Sequence, residues 1–124
     1  YPETNLVIIR KRGENGFEDV TLDCAGKLAG WMPIGSSGDY EYTRTDLSRH
    51  DFEPQGNCDN GRREMTSEGT FGLWVWGWGS PESQPGTQGG CEPGQPGYSC
   101  YVSYAYPAGE GLQILNEQTA PVPR

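Results

Sequence analysis

Apolar and polar residues alternate with a period of two through much of this chain, which is the pattern of β-strands. The clearest case is Thr70-Phe-Gly-Leu-Trp-Val-Trp-Gly-Trp-Gly79, where Trp74, Trp76 and Trp78 take every second position and Phe71, Leu73 and Val75 take the alternate ones. Both faces of that strand are apolar, so it is expected to be covered on both sides. Gly72, Gly77 and Gly79 thin it where another backbone or a bulky ring comes close.

Other segments follow the same logic. Leu6-Val-Ile-Ile9 reads as a buried strand ending in Arg10-Lys-Arg12, and Asn15-Gly16 within Gly13–Gly16 is a strong hairpin turn signal. Val20–Asp23 alternates as a second strand, Ala25-Gly26 turns the chain, and Trp31–Ile34 is a strand or extended segment. After a Gly35–Gly38 loop, Tyr40–Leu47 alternates again with Tyr40 and Tyr42 on one face, and the stretch from His50 to Glu53 pairs with a neighbour. Residues 54–61 form a polar excursion tethered by Cys58, and Arg62–Ser67 leads into the tryptophan strand. Tyr98–Tyr106 resumes aromatic strand character and Leu112–Leu115 is a last short strand.

Helical periodicity extends nowhere beyond about two turns. With 19 Gly and 10 Pro in 124 residues and only 33% hydrophobic residues, long helices are disfavoured and short strands joined by turns are favoured. The expectation is an all-β, β-sandwich or jelly-roll-like fold of about seven to nine short strands. One domain spans 1–115, with a long Gly/Pro-rich loop at 80–97, and residues 116–124 are a linker or tail.

Charge narrows the partners. Nine Lys plus Arg stand against seventeen Asp plus Glu, a net charge of −8, and no basic stripe exists to neutralise phosphates. Nucleic acid and anionic membrane surfaces are therefore disfavoured. No run of about twenty apolar residues is present, so no membrane insertion is expected. Tyr1 is not an initiator Met and no signal peptide is visible, which reads as a processed protein or an excised domain.

The four cysteines, Cys24, Cys58, Cys91 and Cys100, form no CxxC pair and accompany a single His, which argues against zinc. They read as two disulfides made in an oxidising compartment, so the protein is placed outside the cell or on its surface. Four cysteines allow three connectivities. Cys91–Cys100 is favoured because both lie in the glycine-rich loop, which leaves Cys24–Cys58.

No catalytic constellation emerges. His50 beside Asp51 is adjacent in sequence only, no Gly-x-Ser-x-Gly elbow occurs, and no free thiol remains after two disulfides. A carboxylate pair such as Glu41 with Asp46 is expected by chance among seventeen acids. Asp51-Phe-Glu53 with Asp59-Asn60 is a weak approach to a calcium cage, and solvated turn acids explain it better. The expectation is a protein that is not an enzyme and uses no cofactor or metal.

Two readings of the tryptophan stripe stand. Indole faces stack on sugar rings, so Trp74, Trp76 and Trp78, with Tyr104 and Tyr106 from the last aromatic strand, are the candidate ligand-binding residues of a carbohydrate-binding module. Packing into the core is the favoured alternative, since three exposed indoles make a large apolar patch.

Three segments read together carry a resemblance. They are Val20-Thr-Leu-Asp-Cys-Ala-Gly-Lys-Leu28 with Trp31 and Ile34–Arg44, then His50 leading to Gly69-Thr-Phe-Gly-Leu-Trp-Val-Trp-Gly77, then Ser103-Tyr-Ala-Tyr-Pro-Ala-Gly109. Over roughly residues 5–115 the chain resembles the last β-rich unit of the IgGFc-binding-protein N-terminal-type domain, found in secreted mucin-like animal proteins and bacterial surface proteins. Cys24 stands where that pattern has Gly, and the 81–97 insertion with Cys91 and Cys100 replaces a shorter link. The resemblance implies no catalytic residues and treats the aromatic strand as part of the family's pattern. The function expected is a non-catalytic extracellular adhesion or structural module that binds a surface or matrix protein or a glycan. Its contacts are expected on loops 81–97 and 54–61. The alternatives are the carbohydrate-binding module and a self-assembling extracellular filament subunit built by strand addition.

Overall fold

The protein is described by a computed structural model over residues 3–49, 52–79 and 103–108. These residues form nine strands and no helix, in two antiparallel sheets. The strands are β1 (Glu3–Lys11), β2 (Val20–Leu22), β3 (Gly26–Lys27), β4 (Met32–Pro33), β5 (Tyr40–Arg49), β6 (Glu53–Pro54), β7 (Met65–Ser67), β8 (Phe71–Trp78) and β9 (Ser103–Ala108). The larger sheet runs β4-β5-β1-β8-β9 with β6 added to β5, and the smaller is β3-β2-β7. The all-β, sandwich-like expectation holds, and the strand count meets its upper bound. The strand expected at Leu112–Leu115, residues 98–102 and the whole 80–97 loop lie outside the described residues.

β1 is the axis of the larger sheet because it pairs along its length with both β5 and β8. Its even-numbered residues Thr4, Leu6 and Ile8 point inward and are buried, while Val7 and Ile9 point outward and are only half-buried. The four-residue apolar run is thus a strand divided between two faces rather than one buried throughout. Leu6 and Ile8 join Val20 and Leu22 of β2, Leu47 and Cys58 in a single core cluster. Leu47 reaches it through a bulge: the β1–β5 register slips between Thr4 and Asn5, so Leu47 and Ser48 are buried one after the other.

Arg62–Ser67, expected only as a lead-in to the tryptophan strand, contains Met65–Ser67, which pairs with β2 and completes the smaller sheet. Three residues without full alternation carry too little periodicity to show this. Polar groups inside the core are satisfied. The Thr43 hydroxyl donates to the Ala29 carbonyl at 2.6 Å, and Ser48 Oγ donates to Asn60 Oδ1 at 3.3 Å.

Arg10 closes one end of the core. Its Nε and Nη2 donate to Glu41 Oε2 at 3.0 and 2.7 Å, and its Nη1 donates to the Glu18 carbonyl at 2.8 Å. The guanidinium lies 3.9 Å from the centre of the Trp31 ring and 5.2 Å from that of Phe17. Trp31 is fixed in turn by its indole N–H, which donates to the Leu28 carbonyl at 3.0 Å.

Cys24, in the turn after β2, is bonded to Cys58, in the turn after β6, with Cα atoms 5.0 Å apart. The bond links the smaller sheet to the β5–β6 end of the larger one. Cys91 and Cys100, expected as the second disulfide, lie outside the described residues.

Two stability measurements check this layout. Ile8→Ala should cost about 2–5 kcal/mol by urea unfolding, whereas Val7→Ala on the other face should cost about 1 kcal/mol or less. Equal losses at the two positions would contradict the assignment of faces. Replacing Cys24 and Cys58 together by Ala, with Cys91 and Cys100 kept, should lower stability by about 3–4 kcal/mol, given the 34-residue separation. A linked Cys24–Cys58 peptide should appear in a non-reducing digest of the parent chain.

Candidate functional site

The register of the larger sheet arranges its outward residues in rows. Arg44, Val7, Trp74 and Pro107 form one row, and Asp46, Asn5, Trp76 and Ala105 form the next. Glu3, Trp78 and Ser103 lie beyond these at one end. Towards the other end come Tyr42, Ile9 and Gly72, with Met32 of β4 beside Tyr42, and then Tyr40 and Lys11. The result is an apolar band, Met32–Tyr42–Ile9–Val7–Trp74, crossing four neighbouring strands with tryptophans at its far side.

Trp74 and Trp78 keep 42% and 43% of their surface exposed. Trp76 is half-buried and stacks on Trp78, with ring centroids 5.8 Å apart and planes 11° from parallel. The three indoles, with Asn5, Val7, Arg44, Asp46 and Arg49, line a shallow trough of about 940 Å³. Asp46 and Arg49 are ion-paired at 2.5 Å across one edge of it. Arg44 is exposed beside Val7.

The other alternate set on β8, Phe71, Leu73 and Val75, packs against the core. The tryptophan strand is therefore covered on one face, not on both as its sequence implies. β1 and β8 carry apolar residues on both faces, but the three-stranded sheet covers only the inward one.

Tyr104 and Tyr106 sit on that inward side. They pair with Gly77 and Val75 across β8–β9 and stack on each other with centroids 5.6 Å apart. A Cβ built on Gly77 would come within 2.0 to 2.7 Å of the edge and hydroxyl of the Tyr104 ring, so a side chain there would clash. With Met65, Thr66, Arg63 and Glu64 from the β7 side, the two tyrosines border an inter-sheet cleft of about 820 Å³. The five aromatic residues singled out by sequence are thus split between opposite faces: Trp74, Trp76 and Trp78 are together, and Tyr104 and Tyr106 are apart from them.

Sequence reasoning missed Val7, Arg44 and Met32 on the outer face and Met65 in the cleft. The signal for Val7 and Ile9 was present, since Leu6–Ile9 carries apolar residues of both parities. Arg44 needed the β1–β5 register, which no local pattern shows.

Glu41 and Asp46 lie on opposite faces of the sheet, Glu41 held inward by Arg10 and Asp46 held outward by Arg49. Asp59 accepts from the Asn60 backbone N–H at 2.7 Å, while His50 and Asp51 lie outside the described residues. Among the described residues no group of three or more His, Cys, Asp or Glu is placed to hold a metal ion. Away from the trough, exposed Lys27 and Asp19 form an ion pair at 2.9 Å. The hydrogen bond and charge of Lys27 hold Asp19 below the ordinary carboxylate value, and Asp19 holds Lys27 above its own.

Comparison with known proteins returned one family. Neither the curated proteins nor the solved structures include a match to this chain. The family model described as IgGFc binding protein matches residues 1–77, from before β1 to the end of β8 apart from Trp78. That span includes the core strands β1 and β2, the cysteines Cys24 and Cys58, and two of the three outward indoles. The match takes in more than half of the sequence, and the chain belongs to the IgGFc-binding-protein family.

Proposed function

We propose that this chain is a non-catalytic extracellular recognition module, adhesive or structural in role, that docks another protein through the outer face of its larger sheet. The observation that carries this reading is the exposure of Trp74 and Trp78 beside Val7 and Arg44, on a sheet whose opposite face already builds the core. Trp and Arg grouped around an apolar centre are the residue types that anchor protein interfaces. Contiguous apolar surface of this kind marks interaction sites on soluble domains.

Location and partner class have their own support. The family takes its description from the binding of an immunoglobulin Fc region, which is an extracellular protein, and the Cys24–Cys58 disulfide suits an oxidising compartment. Protein is favoured over glycan as the partner because Trp76 and Trp78 turn a face towards each other. A sugar platform needs indole faces open to the ligand. The family description does not carry Fc recognition over to this chain, because function resides in the site rather than in the fold.

Acrylamide quenching of the folded, oxidised protein in dilute solution tests this. The expected result is ready quenching of the indoles that no member of a glycan panel relieves. Protection by a polysaccharide, abolished by Trp74→Ala, would move the reading to a carbohydrate-binding module. Indoles shielded even in dilute solution would remove the docking surface altogether.

A further inference from the structure

We infer that the protein docked on the outer face is a second copy of this chain, packed sheet on sheet about a two-fold axis that runs across the strands through the Val7 row. The inference rests on the reading of that face as a protein-docking surface and adds the identity of the partner.

The outward residues of β1 are Glu3, Asn5, Val7, Ile9 and Lys11, an acid at one end, a base at the other and Val7 at the centre. A two-fold axis across the strands lays each strand over its own copy running the opposite way. Glu3 of one copy then faces Lys11 of the other, and the symmetry repeats that contact. The row of Asn5 falls on the row of Ile9, which brings Trp76 over Gly72 twice. Gly72 offers space there, since a Cβ built on it meets nothing within 4 Å. Val7 and Trp74 meet their own copies on the axis.

The same operation brings Arg44 towards its own copy, a like-charge approach that the neighbouring Asp46 carboxylates offset. Tyr42 then faces Asp46, a phenol opposite a carboxylate. An axis along the strands is poorer, because it sets Glu3 against Glu3 and Lys11 against Lys11.

Charge and area agree with this choice. The chain carries a net charge of −8, so most pairings of two copies are repulsive. On the outer face the strand residues balance, with Lys11, Arg44 and Arg49 against Glu3, Asp46 and Glu53. That makes it a face on which two copies can approach. Strands β4, β5, β1, β8 and β9, of 2, 10, 9, 8 and 6 residues, at about 3.4 Å per residue and about 4.8 Å apart present roughly 570 Å² each. The pair buries about 1,140 Å², above the roughly 1,000 Å² that a biological interface needs.

Sedimentation of the whole chain over a wide concentration series tests the inference, with circular dichroism to confirm that each variant folds. The parent chain should pass from monomer to dimer, and no further. Glu3→Lys and Lys11→Glu should each weaken the dimer by about tenfold or more, since each reversal acts at two contacts. Mixing the two variants should restore a heterodimer, because both contacts then join opposite charges again. Gly72→Gln, which fills the notch under Trp76, should also leave a folded monomer.

A parent chain that stays monomeric with open indoles overturns self-pairing and leaves the docking surface standing. A monomer with shielded indoles overturns both. A dimer indifferent to the two reversals, or variants that fail to pair when mixed, overturns the proposed axis.

Discussion

Leu6 and Ile8 of β1 meet Val20 and Leu22 of β2 in the core, and the rest of the structure depends on that contact. β1 is hydrogen-bonded on both sides, so its position fixes β5 and β8. The smaller sheet has strands of three, two and three residues, too little to stand alone in water. It persists because its apolar side lies on β1 and because Cys24–Cys58 ties it to the β5–β6 end. Each fully buried aliphatic side chain contributes about 1.5–3 kcal/mol, and five of them make most of this core.

Arg10 shows how a small core of this kind is finished. The inward row of β1 passes from Ile8 to a charged residue, and the charge is accommodated rather than expelled. Glu41 neutralises it, the Glu18 carbonyl takes a further N–H, and the Trp31 and Phe17 rings cover the guanidinium faces. A planar cation with several donors can meet all of these at once, which an ammonium cannot. The cluster joins β1, β5 and the segments before β2 and β4, which have few other apolar residues to hold them.

The economy of the second layer has a consequence on the other side. A sheet with two apolar faces and a cover for one leaves the second face to an external surface. Val7, Ile9, Tyr42 and Trp74 belong neither to the core cluster nor to the residues packed against it, so the core does not explain them. Their presence is what motivates the docking surface proposed for this face. Tyr104 and Tyr106 have a different task, since Tyr104 closes over Gly77 and both border the inter-sheet cleft.

Much of the fold could be read locally. The period of two, the Gly13–Gly16 turn, the Gly35–Gly38 loop and the shared face of Tyr40 and Tyr42 follow from backbone preference and alternation, which act over a few residues. Met65–Ser67 was not legible because three residues take their strand geometry from β2. Nor was the inward turn of Arg10, whose partners Glu41 and Trp31 lie far along the chain. For the aromatic strand, sequence determined that two alternating apolar sets exist on β8. It pointed to core packing for the indoles as well, yet Phe71, Leu73 and Val75 take the core face and leave Trp74 and Trp78 exposed. The tertiary structure decided between them: register to β1 puts one set on the side where Leu6 and Ile8 meet the smaller sheet, and the pleat sends the indoles outward.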